Sequence, residues 1–285
     1  MTKKHKHESS VPNRLSDDPM PSKVNDSGIS ATAFLLFKKH LNGKYSLLRE
    51  HTNIERLLES PPDDHRVLVR HPEASEPYRH ICFINANFGG DGEFTGTGWL
   101  AGPRLIVTAA HVVRQPECTL HSLTITRAYD GDNHGRYKSI TISSDALDRS
   151  LHVPANYQHE NSADDYAAII LQSSQPDGYL RFAVLDDETL NSQTFHVGGY
   201  PDQFTSTDGI VYSKRQCEHS GIIQQCTNSF IKYHIDTTSG QSGGPVWIDH
   251  GEDQVVVGIH VGEDNRAVRI NQKVYDFINR IQPKN

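Results

Sequence analysis

The residues with the clearest chemical potential lie in Asp236-Thr237-Thr238-Ser239-Gly240-Gln241-Ser242-Gly243-Gly244-Pro245. A serine hydroxyl is a weak nucleophile until a base stands beside it and donors await the oxyanion it creates. Gly240 and Gly243 lack Cβ atoms, so the chain can fold tightly around Ser242 and admit a substrate carbonyl. The N–H groups of Gly240 and Ser242 can then converge as an oxyanion hole. On its own, Ser-Gly-Gly-Pro is also an ordinary turn. A base stands upstream in Leu105-Ile106-Val107-Thr108-Ala109-Ala110-His111, which reads as a buried strand with His111 just past its end. A carboxylate stands in Asp164-Asp165-Tyr166-Ala167-Ala168-Ile169-Ile170-Leu171, directly before a second apolar run. Partial desolvation there suits it to hold an imidazole in one tautomer, with Asp164 and Asp165 competing for the role. Each residue alone has a bland structural reading. Together they supply a nucleophile, its base and an orienter, the set that acyl transfer needs.

The three segments also come in the order His, Asp, Ser. Thr-Ala-Ala-His, Asp-Tyr-Ala-Ala-Ile and Gly-Gln-Ser-Gly-Gly-Pro resemble the catalytic segments of trypsin-like serine peptidases. The matched aspartate is Asp165, one residue before Tyr166. The resemblance implies an all-β fold of two six-stranded antiparallel barrels with a C-terminal helix. It also implies a serine endopeptidase working through His111, Asp165 and Ser242, with a zymogen-type propeptide ahead of the domain.

Within that family, Val257-Gly258-Ile259-His260-Val261-Gly262 and Asp236-Thr237-Thr238 resemble the glutamyl endopeptidases of the staphylococcal V8 and Bacillus type. Asp63-Asp64-His65-Arg66-Val67, Pro77-Tyr78-Arg79-His80-Ile81 and Gly96-Thr97-Gly98-Trp99 resemble the start of their mature domain. The resemblance implies that His260 receives a substrate glutamate, with Thr237 as a second donor. By count, however, Asp236 stands where trypsin-type enzymes keep a pocket-floor acid, which would favour Arg or Lys. Two other readings stay open: a pseudoprotease that binds peptides in the same cleft, and an activity residing in residues 1–60.

The 285 residues are enough for one double-barrel domain, 61–285, plus an N-terminal extension, 1–60. Residues 1 to about 28 are polar and proline-containing and read as disordered. Apolar residues between Ser30 and Ser60 suggest one or two amphipathic segments, and Pro61-Pro62 marks a break. A formal net charge of −7 argues against nucleic acid as partner. The resemblance implies a polypeptide substrate, and a monomer is expected. No segment has the length of a membrane helix, and no apolar signal core follows the basic start. Cytoplasmic residence, non-classical export and a misplaced start codon all fit, although family members are mostly secreted.

Among 17 histidines there is no His-Glu-x-x-His and no Cys-x-x-Cys, so neither a metal nor a cofactor is expected. Asp130-Gly131-Asp132-Asn133-His134-Gly135 begins like a calcium loop, but Thr141 stands where the final glutamate belongs, and the stretch reads as a turn. Four cysteines allow three connectivities. Cys217 and Cys226 could pair across a hairpin turn at Glu218-His219-Ser220-Gly221, and Cys82 and Cys118 could pair around His111. The alternative is four free thiols. Short strands are expected throughout, among them Ile81–Asn85, Gly96–Ala101, Leu105–Thr108, Ala167–Leu171, Val211–Cys217, Ile222–Gln225 and Val255–Val261. A helix over Val268–Ile281 closes the chain.

Overall fold

The computed structural model describes residues 64–131, 136–158, 162–251, 253–262 and 264–283. The expectations for residues 1–60, and most of the calcium-like loop, lie outside them. All described residues fall within one compact unit, Tyr45–Asn285.

Two sheets organise that unit. The first has seven strands, all antiparallel to their neighbours, in the order β6-β5-β2-β3-β4-β8-β7. They are β2 (Ile81–Asn87), β3 (Glu93–Gly102), β4 (Leu105–Thr108), β5 (Ser122–Arg127), β6 (Ile140–Ser143), β7 (Leu151–His152) and β8 (Ala167–Ile170). Alternation sets the inner face: on β5, Leu123 and Ile125 are buried while Thr124 and Thr126 are not. In β4 every residue is buried, as an apolar run between two neighbours should be.

The second sheet closes on itself. Strands β10 (Thr194–Gly199), β13 (Cys217–Cys226), β14 (Phe230–Tyr233), β15 (Pro245–His250), β16 (Asp253–Gly262) and β17 (Arg266–Arg269) form a six-stranded barrel, sealed by the β13–β14 ladder. The short β1 (Val67–Leu68) extends β13, β9 (Arg181–Phe182) runs parallel beside β16, and β11 (Phe204–Thr205) pairs with β12 (Val211–Tyr212). The chymotrypsin-like architecture therefore stands, with one difference. The first sheet curls without closing: its edge strands β6 and β7 share no ladder and are connected by the helix Ser144–Ser150. Phe195, Val197, Ile231, Tyr233, Val246 and Ile248 fill the second barrel, and Ile84, Trp99, Leu105, Val107 and Ile169 help to fill the first.

Several expected features change. The strand expected over Val211–Cys217 is confined to Val211–Tyr212, and the next strand starts at Cys217. Glu218–Gly221 is not a turn: β13 runs straight through it, so Cys217 and Cys226 stand at opposite ends of one strand. Nine residues at about 3.3 Å each separate them by roughly 30 Å, far beyond disulfide reach. Gly221 serves a close approach instead, since a Cβ there would lie 2.2 Å from the His234 carbonyl oxygen. All four cysteines are free thiols, so the Cys82–Cys118 pairing is absent as well. The closing helix begins later than expected, at Gln272, and ends at Ile281. The Asn271 side chain caps it by accepting from the Val274 N–H at 3.1 Å. Val268 belongs to β17 instead, paired with Ile259 and Phe230.

Candidate active site

Register brings the base and its partner together. β4 pairs antiparallel with β8, and Thr108 lies opposite Ala167. His111 comes three residues after Thr108, on the short helix Ala110–Val113, and Asp165 two residues before Ala167. The two side chains therefore emerge at the same end of the sheet. Asp165 Oδ2 lies 2.7 Å from His111 Nδ1, and Asp165 Oδ1 accepts the His111 backbone N–H at 2.9 Å. The Asp165 side chain is fully buried and that of His111 is 14% exposed. A carboxylate held at two points fixes both ring orientation and tautomer, with the proton on Nδ1 and Nε2 left as the basic nitrogen. Asp164 faces the other way. It pairs with Lys273 on the C-terminal helix and lies 3.5 Å from the Tyr166 hydroxyl.

Ser242 sits in the loop between β14 and β15, and that loop is held to both sheets. Its carbonyl accepts the Thr97 N–H at 2.8 Å, while the Thr97 hydroxyl donates to the Gly240 carbonyl at 2.8 Å. Thr97 is a fully buried β3 residue, so one side chain and one amide stitch the first sheet to the serine loop. The loop turns on two left-handed glycines, Gly240 at φ +92° and Gly243 at φ +87°. A Cβ on Gly243 would lie 2.1 Å from the Thr97 carbonyl oxygen, and one on Gly240 would lie 2.4 Å from that of Tyr200. The N–H groups of Gln241, Gly243 and Gly244 bond to loop or strand carbonyls. Among the described residues, those of Gly240 and Ser242 donate to no backbone carbonyl.

His260, near the end of β16, packs directly against this loop and is 2% exposed. Its Nδ1 meets the Tyr233 hydroxyl at 2.6 Å. Burial pushes its pKa down to about 3, partly offset by a hydrogen bond that the ring N–H donates to the Arg266 backbone carbonyl, and the charge of His111 lowers it further. The ring is therefore neutral at neutral pH. The Thr237 hydroxyl donates to Asn265 Oδ1 at 2.7 Å, and the Asn265 carbonyl accepts the Tyr233 N–H at 3.0 Å. A chain of contacts thus links Thr237 to His260, with the Thr237 hydroxyl committed to Asn265.

Asp236 is turned toward the start of the domain. Its Oδ2 accepts the His65 N–H at 2.9 Å and lies 3.0 Å from His65 Nδ1 and 3.5 Å from His219 Nδ1. These three residues bring ligand-type atoms within 4.8 Å of one another, a nitrogen and oxygen set of the kind zinc accepts. In this arrangement, however, His219 Nδ1 accepts the Asp236 N–H at 2.8 Å, so its lone pair is already engaged.

These features match one family. A model described as "Trypsin-like peptidase domain" matches residues 96–259, more than half of the chain. The chain belongs to the trypsin-like peptidase family. A glutamyl endopeptidase of Bacillus licheniformis is 27% identical over 213 residues, which cover 70% of this chain and 62% of that protein. The chain thus spans less than two thirds of that relative's length. A glutamyl endopeptidase of Staphylococcus aureus strain N315 is 25% identical over 277 residues, covering 93% of this chain and 72% of its own. A solved structure of a Glu endopeptidase in complex with MPD superposes with a TM-score of 0.61 at 23% identity, covering 78% of this chain and 99% of that one. That likeness bears on the fold.

Thr97 and Gln241 also belong to the site's framework, as do Asp64 and Arg66, a buried ion pair from which Arg66 Nη1 donates to Gln241 Oε1 at 3.0 Å. Thr97 lay inside a quoted motif, Gly96-Thr97-Gly98-Trp99, and Arg66 inside another.

Proposed function

We propose that this trypsin-like domain is a serine endopeptidase. Ser242 attacks the peptide carbonyl while His111 Nε2 takes the hydroxyl proton and later returns it to the leaving amine. Asp165 keeps the ring oriented and stabilises the imidazolium. The N–H groups of Gly240 and Ser242 receive the oxyanion, a role worth about 3 kcal/mol per donor in comparable sites. The observation that carries this reading is the doubly held Asp165–His111 couple, at the end of the sheet where Thr108 and Ala109 lie against Gly243 of the Ser242 loop. Reaction with a fluorophosphonate tests it. Covalent labelling at Ser242 with loss of hydrolysis is expected, and an unlabelled, inactive protein would favour a peptide-binding pseudoprotease.

The preferred residue before the scissile bond is glutamate. The support is local: a neutral, buried His260 linked through Tyr233 and Asn265 to Thr237, an Asp236 carboxylate held by His65, and relatives named glutamyl endopeptidases. Residues 1–60 serve as a propeptide. Glu50, Glu55 and Glu59 precede the Pro61-Pro62 break, so such an enzyme can process itself there. N-terminal sequencing of active material should find a start near Ser60. Full activity in a chain that still begins at Met1 removes any activating role for the cut.

A further inference from the structure

Residues 64–66 reach from the start of the described domain onto the loop of Ser242. Arg66 has a fully buried side chain, and that of Asp64 is 1% exposed. The guanidinium grips the carboxylate with two parallel bonds, Nε to Oδ1 at 2.8 Å and Nη2 to Oδ2 at 2.7 Å. Burial alone would raise the Asp64 carboxyl, but the bonds and charge of Arg66 hold it below the usual value. The remaining nitrogen, Nη1, donates to Thr238 Oγ1 at 2.6 Å and to Gln241 Oε1 at 3.0 Å. Gln241 Oε1 also accepts the Thr238 N–H at 3.0 Å, so its side chain closes the 238–241 turn on which Arg66 bears. Phe204 lies under the guanidinium at 5.5 Å.

A buried ion pair is seldom the best way to gain stability, because desolvation offsets most of the attraction. What a guanidinium offers is direction: a planar, rigid fork whose unused donor points where the carboxylate forces it. Here that donor reaches the residue immediately before the serine, in a loop whose flanking glycines, Gly240 and Gly243, give it little stiffness of its own.

We propose that Arg66 is a positioning residue for Ser242, acting through Thr238 and Gln241. The inference rests on the peptidase reading above. It also assigns a limit to maturation: a cut before Asp64 keeps the brace whole, whereas a cut between Asp64 and Arg66 parts the carboxylate from the guanidinium and disarms the enzyme.

The test is Arg66→Lys beside Thr238→Val. Lysine keeps the charge opposite Asp64 but cannot fork to the loop, and Thr238→Val leaves the Arg66–Asp64 pair intact. For Arg66→Lys, kcat should fall roughly ten- to a hundredfold, the scale of a lost charged hydrogen bond or a slightly misplaced nucleophile. KM and melting temperature should stay near wild type, and the 240–243 amides should exchange hydrogen faster. Thr238→Val should move the same way by less. A folded Arg66→Lys protein with kcat within about twofold of wild type and unchanged exchange would overturn the proposal. If Arg66→Lys does not fold, full activity of folded Thr238→Val overturns it instead. A wild-type protein that hydrolyses no peptide defeats the peptidase reading, and loop exchange in Arg66→Lys then still decides whether Arg66 braces the loop.

Discussion

Gly243 and His260 are joined through their backbones: the Gly243 N–H donates to the His260 carbonyl at 2.7 Å, and the next residue, Gly244, accepts the His260 N–H at 2.9 Å. The loop bearing the proposed nucleophile and the strand bearing the proposed specificity residue are therefore one rigid piece. Thr97 fixes that piece to the first sheet, and Arg66 fixes it to the start of the domain. A displacement at the pocket is transmitted to Ser242, so changes of preference and changes of rate should be coupled.

Replacing the proposed reacting groups should separate their roles. Ser242→Ala should lower turnover on the order of 10⁶-fold with the fold intact, because no neighbouring hydroxyl replaces the nucleophile. Asp165→Asn should cost about 10⁴-fold by favouring the wrong tautomer of His111. Asp164→Asn, on the residue paired with Lys273, should leave kcat/KM within a few-fold. Comparable losses from the two aspartate variants would mean that the couple seen at 2.7 Å is not the working one.

The thiols give a check on the fold itself. Cys82 and Cys217 are buried, and burial pushes the Cys82 thiol up to about 12. Cys118 and Cys226 are only partly covered. Ellman titration should count four thiols in denatured, unreduced protein and fewer in the native state, where the thiolate is the reactive form. Loss of two thiols without added reductant would show a disulfide, and the β13 geometry forbids Cys217–Cys226 as its identity.

The site's two halves were legible in the sequence for different reasons. His111 and Asp165 flank apolar runs, and a run of that kind fixes both its strand and its ends. The loop of Ser242 announced itself through glycines whose positive φ a turn requires. Gly221 carried the opposite meaning, a close approach rather than a turn, and nothing in the local sequence separates the two. Val268 and Ile270 fit helical spacing as well as they fit a strand, and only the cap at Asn271 sets the boundary. The Arg66 contacts span 172 and 175 positions, beyond any local pattern. Arg66 is charged, a residue type that a sequence reading places at the surface.

Acid should destabilise the protein partly through His260. In the unfolded chain this group takes a proton below its ordinary value of 6.5, whereas in the folded protein it does so only near 3. Between those values the unfolded state holds the extra proton, so stability rises with pH and is lost as pH falls from 6.5 toward 3. One proton contributes at most about 1.4 kcal/mol per pH unit. Burial lowers His219 as well, against the charge of Asp236, which adds a contribution of the same sign. Urea midpoints at pH 7, 6, 5 and 4 should fall for wild type and fall less steeply for His260→Asn. Parallel curves for the two proteins would refute the assignment.

Specificity is the sharpest expectation. His260 is neutral and has one ring nitrogen on the Tyr233 hydroxyl, so an arriving carboxylate can be met by the other, in competition with the Arg266 backbone. Proton uptake by the ring would then strengthen the contact. Thr237 can join by releasing Asn265, whose side-chain amide can turn to follow. Aspartate is shorter and should be cleaved more slowly than glutamate, and glutamine should lose the charge-assisted part of the contact. Losing that bond costs about 1.5–3 kcal/mol, so His260→Ala should lower kcat/KM on Glu substrates roughly ten- to a hundredfold. The loss on Leu substrates should be smaller, limited to what the Gly243–His260 backbone link transmits. A matched series of Glu, Gln, Asp, Lys and Leu peptides decides the matter. Faster cleavage after Lys than after Glu would transfer the specificity role to Asp236, whose carboxylate would then have to leave His65 and turn into the pocket, and the peptidase reading would stand without the glutamate preference.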